Sequence, residues 1–414
     1  MPARRSTYAT MLLLLFGLLT TAPAQTFTVL HTFKGAPTDG EAPLGALVRD
    51  AAGNLYGTTV EGGAGRCGNF NCGTAFMLNK TGKELGVFSF DGKDGQFPSA
   101  GLFRDAAGNL YGTTDQGGAN CYAMGFSGCG TVFRLNNTGT EIRNYSFKGT
   151  PDGYFPGSPV VQAGGSLYGT ASAGGIDDLG AVFKIDERGT EAILYSFTGG
   201  SDGCDPDPGV IPDAAGNLYG VASDGGIGFC NGGLGTVYEL DATGKLTVLH
   251  AFAGEDGANP DSRLLFDAQG NLYGTTQNGG SSSECGSTGC GVIFEVSPQQ
   301  GGEWSEAVLY SFCSLPGCAD GERPLTGPVV RDAAGNIYGT TYFGGTYGNG
   351  VLFKLAPGGL ETVLHSFSGG ADGANPIGGL VTDGKGNLYG TAEQGGDVAC
   401  NPPHGCGVVF QLAP

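Results

Sequence analysis

The sequence predicts an all-β fold, a seven-bladed β-propeller whose blades are four-stranded antiparallel sheets. The first reason is a repeat, because the segment GNLYGTT at Gly53 returns in six further copies. Its tyrosine lies at Tyr56, Tyr111, Tyr168, Tyr219, Tyr273, Tyr338 and Tyr389. A period of roughly 50 to 65 residues is typical of stacked supersecondary units. The second reason is that each unit holds four short apolar segments, and the third is that the two chain ends complement each other.

Each unit contains four predicted strands, which the second copy shows well. GLFRD, NLYGTT, TVFRL and EIRNYSF are rich in β-branched and aromatic residues with alternating polarity, a pattern that indicates strands. The turn DAAGN between the first two strands predicts a tight hairpin with Gly108 at positive φ. The third unit is one residue shorter at this hairpin. A closed ring is favoured over a flat array because closure protects the strand edges.

The chain ends predict how the ring closes. TFTVLHTF, residues 26–33, matches the fourth strand of a unit, and the sequence stops at VVFQL, which matches a third strand. We therefore expect the N-terminal strand to complete the seventh blade. Residues 25–414 would then form one propeller domain.

Residues 1–24 have the features of a secretory signal peptide. A basic start with Arg4 and Arg5 precedes a short apolar run and a small-residue cleavage site that ends at Ala24. The apolar run is too short to span a bilayer. We expect a monomeric protein without a membrane span, secreted or periplasmic.

The twelve cysteines, an even number in a chain with an export signal, favour disulfides over a zinc site or a cytosolic redox pair. The top face is defined here as the face that carries the loops between second and third strands and the loops from blade to blade. All twelve are expected there, as Cys67–Cys72, Cys121–Cys129, Cys204–Cys230, Cys285–Cys290, Cys313–Cys318 and Cys400–Cys406. A zinc site needs about four converging ligands, whereas no close pair is expected near another pair.

The recurring pattern GNLYGTT, then GG, GxVFKL, VLHSF, DG and P, resembles the GloVer tandem repeat of exported bacterial proteins. The resemblance covers nearly the whole chain after residue 24, since all seven units share the pattern. It implies bacterial origin, export and a propeller-like body. It carries no activity or catalytic residue that could be transferred, and no cell-surface anchor is recognised at the C-terminus.

Charge further distinguishes the top face. The chain has 39 acidic and 20 basic residues, which argues against nucleic acid as a partner because a negative body repels phosphates. Most of the acidic excess falls in the top-face loops, which form either a solvated surface or a face for cations. No cofactor is required, but calcium is possible because CDPDPG and EDGANPD bring carboxylates close to backbone carbonyls. The candidate calcium ligands are Asp205, Asp207, Asp256 and Asp261.

An Asp-Gly dipeptide recurs once per unit in the blade-to-blade loop, at Asp39, Asp94, Asp152, Asp202, Asp256, Asp320 and Asp372. Asp before Gly is a frequent turn pairing, so these aspartates are predicted to be structural. His31, His250 and His365 stand where other units have Phe or Tyr and are interpreted as packing residues. His404 lies between two paired cysteines and could act as a general acid or a ligand, although no nucleophile motif accompanies it.

The top-face loops also carry aromatic residues, which are candidates for contacting a ligand together with His404: Phe70, Tyr122, Phe126, Phe229, Tyr342, Phe343 and Tyr347. Carbohydrate and protein partners use such side chains, but aromatics can equally fold back over glycine-rich loops. The leading hypothesis is a secreted, non-catalytic binding propeller for a carbohydrate or a cell-surface protein. The alternative is an extracellular polysaccharide-acting hydrolase or lyase with top-face carboxylates, of which the sequence identifies no catalytic residue.

Overall fold

The computed structural model describes residues 25–119, 121, 128–230 and 232–414. Seven small antiparallel sheets form a ring, which confirms the predicted seven-bladed propeller. In blade 5 the first strand is split in two, and both pieces pair with the second strand. The predicted signal peptide, Tyr122 and Phe126 lie outside the described residues.

The strands of each blade, from the central channel outward, are as follows: blade 1, Val48–Arg49, Leu55–Thr59, Thr74–Leu78 and Glu84–Ser89; blade 2, Phe103–Arg104, Leu110–Thr114, Thr131–Leu135 and Glu141–Ser146; blade 3, Val161–Ala163, Ser166–Ala171, Ala181–Ile185 and Glu191–Ser196; blade 4, Val210–Pro212, Leu218–Ala222, Thr236–Leu240 and Leu246–Ala251; blade 5, Ala258–Pro260 with Leu265–Phe266, Leu272–Asn278, Val292–Pro298 and Trp304–Ser311; blade 6, Val330–Arg331, Ile337–Thr341, Val351–Leu355 and Glu361–Ser366; blade 7, Leu380–Thr382, Leu388–Ala392, Val408–Ala413 and Thr26–Thr32.

The loops contain further short elements. Two small two-stranded sheets pair Gly40–Glu41 with Glu61–Gly62 and Arg66–Cys67 with Phe70–Asn71. Within the described residues the only helices are two 3-10 turns, Gly286–Thr288 and Pro316–Cys318, and neither has the length or apolarity to cross a bilayer.

The ring closes as the sequence predicts. Thr26–Thr32 pairs antiparallel with Val408–Ala413, from Thr26 opposite Ala413 to Thr32 opposite Val408. Phe33, just after this strand, is fully buried. The N-terminal strand is therefore the outermost strand of blade 7 and holds both ends of the chain in one sheet.

Aromatic pairs join neighbouring blades. Each fourth strand is followed by a buried phenylalanine whose ring meets, edge to face, an aromatic ring on the third strand of the next blade, with centroids 5.0–5.3 Å apart. The phenylalanines are Phe33, Phe90, Phe147, Phe197, Phe252, Phe312 and Phe367. Such pairs contribute about 0.5–1.5 kcal/mol each beyond the burial of their area. The phenylalanine that follows the fourth strand of each unit therefore fastens one blade to the next.

Glycine before each third strand has a steric cause. A Cβ at this glycine would lie 2.3–2.7 Å from the Cδ of the proline that begins the next blade. The glycines are Gly73, Gly130, Gly180, Gly235, Gly291, Gly350 and Gly407, all with positive φ. The repeated glycine and proline thus fit together across the blade interface and fix where the top-face loops sit.

The face opposite the top carries the DAAGN hairpins. In blade 1 the Asp50 carboxylate accepts the Asn54 main-chain N–H at 2.8 Å and the Tyr56 hydroxyl at 3.0 Å. Gly53 in this turn has φ +91°, and Gly108 has φ +87° in the matching turn of blade 2, as the sequence predicts. In every blade except blade 3, the hydroxyl of the repeated Tyr therefore bonds to the aspartate of its own hairpin.

Candidate functional site: the mouth of the central channel

The segments that lead into the first strands of all seven blades surround a central cavity of about 310 Å³. Its top end lies where first strands begin and second strands end. The residue that precedes the repeated proline has φ of 53–58° in every blade, although none is glycine: Ala42, Phe97, Phe155, Asp205, Asn259, Arg323 and Asn375. Non-glycine residues rarely occupy this left-handed region, and where they do the surroundings must hold them.

Main-chain bonds between blades hold these left-handed residues. In blade 4, for example, the Asp205 N–H donates to the Leu179 carbonyl of blade 3 at 3.1 Å, and the Asp205 carbonyl accepts the Ser223 N–H at 3.0 Å. The frame at the mouth is thus the same in all blades, whereas the side chains that it presents differ from blade to blade. That variation is where a specific site can arise.

Four carboxyl groups collect on one side of the mouth. Asp115 follows the second strand of blade 2, Asp205 and Asp207 precede the first strand of blade 4, and Asp261 lies in the split first strand of blade 5. Gly157 of blade 3 lies between them, because a Cβ there would be 2.6 Å from the Asp207 Oδ1 atom and 3.4 Å from the Asp115 Oδ1 atom. We name Asp115, Asp205, Asp207 and Asp261 the mouth cluster.

Burial shifts the acidity of the mouth cluster. It raises the pKa of Asp115 to about 6, and burial together with the nearby Asp115 raises the pKa of Asp207 to about 7. Burial, reinforced by neighbouring carboxylates, raises the pKa of Asp205 to about 7 and that of Asp261 to about 8. Near neutral pH the cluster therefore presents protonated carboxyl groups, which donate hydrogen bonds, beside carboxylates, which accept them.

A single arginine lies deeper along the same channel. Arg263 lines the cavity two residues after Asp261, and the equivalent positions of the other six blades carry small or cyclic residues: Ala46, Gly101, Pro159, Gly209, Gly327 and Gly379. Burial lowers the pKa of Arg263, and its Nε atom, like those of four other arginines, is buried without a hydrogen-bond acceptor in the described part of the chain. Because buried charges are normally paired, this guanidinium is available to an anionic or hydroxylated ligand.

The opposite side of the mouth is less charged. The Tyr342 hydroxyl donates to the Glu393 Oε2 atom at 2.8 Å, and the Asn375 amide donates to the Tyr342 carbonyl at 3.0 Å. Phe343 packs edge to face on Tyr342 with centroids 4.6 Å apart. Among the aromatic residues predicted to contact a ligand, Tyr342 and Phe343 are thus held in place by neighbouring groups.

The other predicted contact residues are more scattered. Phe70 is 57% exposed and meets the edge of Phe97 at 6.4 Å, while Phe229 and Tyr347 are exposed. His404 is also exposed, and its main-chain groups bond with Asn401 and Gly395. These residues share the top face, and their role in binding remains a prediction.

Only three of the four predicted calcium ligands come together. Asp205, Asp207 and Asp261 belong to the mouth cluster, whereas the Asp256 Oδ2 atom lies 2.9 Å from the His250 Nε2 atom beside the outer strand of blade 4. The sequence placed Asp256 and Asp261 close together because they share a loop. The loop crosses the top face from the outer strand to the channel, so its two ends serve different places.

The Asp-Gly aspartates occupy the outer part of the top face, which we call the rim. Each accepts a main-chain N–H from its own loop, as a turn aspartate is expected to do, for example the Thr198 N–H at 2.8 Å in the case of Asp202. Six of them also face a polar ring of the fourth strand. The pairs are His31–Asp39, Tyr145–Asp152, Tyr195–Asp202, His250–Asp256, Tyr310–Asp320 and His365–Asp372.

The interpretation of the three histidines as packing residues was incomplete. Their rings do pack edge-on against the buried phenylalanine two residues later, but each also bonds to a rim carboxylate. The sequence held a signal for this bond, because Tyr and His alternate at the position and share a polar tip. Only blade 1 has an apolar ring there, Phe88.

All six predicted disulfides are present: Cys67–Cys72, Cys121–Cys129, Cys204–Cys230, Cys285–Cys290, Cys313–Cys318 and Cys400–Cys406. The expectation that no close pair lies near another is wrong in one place. The Cys285 and Cys313 Sγ atoms are 3.7 Å apart, because a loop within blade 5 and the loop leaving blade 5 meet on the top face.

Comparison with known proteins identifies the family. A model of the Gloeobacter/Verrucomicrobia repeat matches residues 17–233 and 280–414. The chain belongs to this repeat family. This confirms the GloVer resemblance, and the stretch between the two matched ranges contains Asp261 and Arg263. No curated protein matches the sequence.

Solved structures share the fold at low identity. The extracellular domain of a putative hybrid two-component system from B. thetaiotaomicron is 12% identical, with 94% of this chain and 41% of that chain covered and a TM-score of 0.52. The extracellular domain of a putative one-component system from the same organism is 11% identical, with 94% and 40% covered and a TM-score of 0.53. A fungal alcohol oxidase of the AA5 family in complex with copper is 14% identical, with 94% and 77% covered and a TM-score of 0.54.

These comparisons establish the propeller fold. The repeat protein spans less than half the length of the two sensor chains. Its six disulfides fit an extracellular or periplasmic location.

Proposed function

We propose that this repeat protein is an exported, non-catalytic binding propeller that holds a small polyhydroxylated ligand, such as a saccharide unit, at the mouth of its central channel. The observation that carries the proposal is that the mouth cluster and Arg263 lie along the same channel, where the counterpart of Arg263 in other blades is small or cyclic. Both features depart from the sevenfold repeat. A departure that leaves charged groups buried weakens the fold, so a binding role accounts for it better than a structural one.

The chemistry of the mouth favours hydroxyl groups. Protonated carboxyls donate and carboxylates accept hydrogen bonds at neighbouring positions, and a guanidinium adds several donors in a planar fork. A sugar presents many hydroxyls that both donate and accept, and its apolar ring face suits the Tyr342 and Phe343 pair across the channel. A cavity of about 310 Å³ is at the small end of the range for ligand sites, which favours one or two sugar units.

The test combines a glycan array with calorimetry on the purified protein. We expect at least one saccharide to bind, and Arg263→Ala to weaken that binding by tenfold or more. Alanine is the natural residue at the equivalent position of blade 1, so the variant should fold. Arg188→Ala, on an exposed turn of the opposite face, is the matched control and should bind as the parent does. Absence of any saccharide ligand, or equal binding by Arg263→Ala, would contradict the proposal.

One observation favours a second candidate, a polysaccharide-acting hydrolase or lyase. Carboxyl groups with pKa values of about 6 to 8 beside one another suit general acid and base catalysis near neutral pH. Incubation with the saccharide found on the array separates the two functions. Release of shorter products that stops in Asp207→Asn would establish the enzyme, and an unchanged saccharide would leave the binding function.

A further inference from the structure

Three blade interfaces bring a histidine to the rim. The Nε2 atoms of His31, His250 and His365 lie 3.3, 2.9 and 3.0 Å from the Oδ2 atom of Asp39, Asp256 and Asp372 respectively. At two of these interfaces a glutamate from the fourth strand of the following blade joins the pair. The two groups are His31 with Asp39 and Glu84, and His250 with Asp256 and Glu306, and within each group one ligand atom per residue lies within 4.8 Å of the others.

We propose that these two groups are binding sites for a divalent transition metal of the zinc class. Each offers one imidazole nitrogen and two carboxylate oxygens, a set of three protein ligands that leaves a fourth position open. In a tetrahedral zinc site with bonds of about 2.0–2.1 Å, neighbouring ligand atoms are about 3.3 Å apart. The separations of 3.3 and 2.9 Å between histidine and aspartate are already close to that value. The imidazole disfavours calcium, which takes six to eight oxygen ligands.

A second observation concerns the glutamate of the His250 group. The Glu306 Oε1 atom is buried and has no hydrogen-bond partner among the described residues, a state that it shares with the Oε1 atoms of Glu191 and Glu361 at two interfaces with tyrosine, and it lies near the Asp256 carboxylate. A buried carboxylate oxygen needs a donor or a cation. Asp256 is also oriented to bind a cation. Its Oδ1 atom accepts the Ala253 N–H at 2.8 Å, which leaves its Oδ2 atom to face His250 and Glu306. Such outer bonds fix ligand carboxylates in metal sites.

The other interfaces lack at least one of the three ligands. At His365 the next blade presents Phe27, whose ring stacks on the imidazole with centroids 3.8 Å apart, so the glutamate is absent. At Tyr310 the glutamate is present, as Glu361 beside Asp320, but a phenol replaces the imidazole. The repeat thus provides natural controls with two of the three ligands.

The two sites would join different blades. His31 and Asp39 belong to the closing strand of blade 7 and the loop after it, while Glu84 belongs to blade 1, so a metal here would fasten the ring where the chain ends meet. The other site would fasten blade 4 to blade 5. The His31 and His250 side chains are 14% and 20% exposed, which leaves a path for the ion.

The experiment counts zinc on the whole protein. After chelator treatment, the protein is dialysed against micromolar zinc and the bound metal is measured by mass spectrometry, with calorimetry for affinity. We expect two zinc ions per chain, one in His31→Tyr and none in the variant with both His31→Tyr and His250→Tyr. Tyrosine occupies this position in three blades and bonds the same aspartate, so these variants should keep their fold, which circular dichroism would check.

His365→Tyr is the matched control and should still bind two ions. A parent protein that binds no zinc would overturn the inference, as would a double variant that binds as much as the parent. In either case the unpartnered glutamate oxygen would be satisfied by a proton shared with the aspartate. Because the channel mouth is untouched by these changes, saccharide binding should be the same in all variants.

Discussion

Asp202 and Asp207 lie in the same loop, five residues apart, yet their surroundings are opposite. Asp202, on the rim, accepts hydrogen bonds from the Tyr195 hydroxyl and the Thr198 N–H at its Oδ2 atom and from the Thr198 hydroxyl and the Gly200 N–H at its Oδ1 atom. Asp207, at the mouth, receives no hydrogen bond from the described residues, and nearby carboxylates surround it.

The difference teaches how to separate structure from function in a repeat protein. The rim aspartate recurs in all seven units, and Asp202 is saturated with donors, so the role of Asp202 is to hold the loop. Asp207 has an equivalent carboxylate only in Asp261, and burial raises the pKa of both. A residue that departs from the repeat and is poorly satisfied stabilises the fold least, and so is a better candidate for binding.

The largest expected effect is the loss of a rim carboxylate. In Asp202→Asn one carboxylate oxygen becomes an NH₂ group. Both oxygens of Asp202 accept hydrogen bonds, so in either orientation of the amide at least one buried donor faces the NH₂ group and loses its acceptor. We expect the free energy of unfolding to fall by about 2–3 kcal/mol, measured by urea denaturation. Asp177→Asn, on an exposed loop, is the control and should change it by less than about 0.5 kcal/mol.

A mouth carboxylate should behave in the opposite way. The folded-state pKa of Asp207, about 7, exceeds the unfolded value of about 3.9, so the folded protein holds this proton more tightly. That stability is present below pH 4 and is lost as the pH rises through 7. Asp207→Asn should therefore unfold with a smaller pH dependence than the parent between pH 5 and 8. Equal slopes in urea titrations at several pH values would contradict the pKa assignment.

A single substitution in blade 1 should add a hydrogen bond to the rim and stabilise the protein. Phe88 stands where other blades have Tyr or His, and burial raises the pKa of the matching Asp94 to about 6. Phe88 and Tyr145 pack in the same edge-on way against the phenylalanine two residues later, so Phe88→Tyr should place a hydroxyl near Asp94. We expect a gain of about 1 kcal/mol. Tyr195→Phe removes the same bond from blade 3 and should cost a similar amount.

The smallest expected effect is that of calcium at the mouth. Three of the four predicted ligands meet there, so chelator-treated protein should melt slightly higher in millimolar calcium than in sodium chloride of equal ionic strength. Asp205→Asn should abolish the difference, while Asp256→Asn, on the rim, should keep it. Identical melting in the two salts would leave the mouth without a calcium site.

The sequence was sufficient to predict the architecture because the same pattern of strands and turns recurs in seven units. The tyrosine, the Asp-Gly turn, the phenylalanine after the fourth strand and the glycine before the third strand each recur for a structural reason, and repetition makes that reason visible. The closing strand followed from the same logic, since residues 26–33 could only be a fourth strand without its blade. Pairing of cysteines followed from their shared face.

The site at the channel mouth was harder to predict because its residues are those that depart from the repeat. The sequence pattern alone does not single out Arg263 among the basic residues of the top-face loops, and its significance emerges when the position three residues after each repeated proline is compared across blades. Asp256 and Asp261 were placed together by their distance along the chain, whereas the loop spans the blade from rim to channel. The rim bonds of the histidines depend on side chains that meet across a turn, which spacing alone does not reveal.

The most direct test of the account is the sign of the change in stability when the same substitution is made at both ends of one loop. Urea denaturation of the parent, Asp202→Asn and Asp207→Asn would be compared at pH 8. The account predicts that Asp202→Asn is less stable than the parent and that Asp207→Asn is more stable, by about 1–2 kcal/mol. If both variants lose stability, the mouth carboxylates support the fold as the rim does, and the distinction between the two regions is wrong.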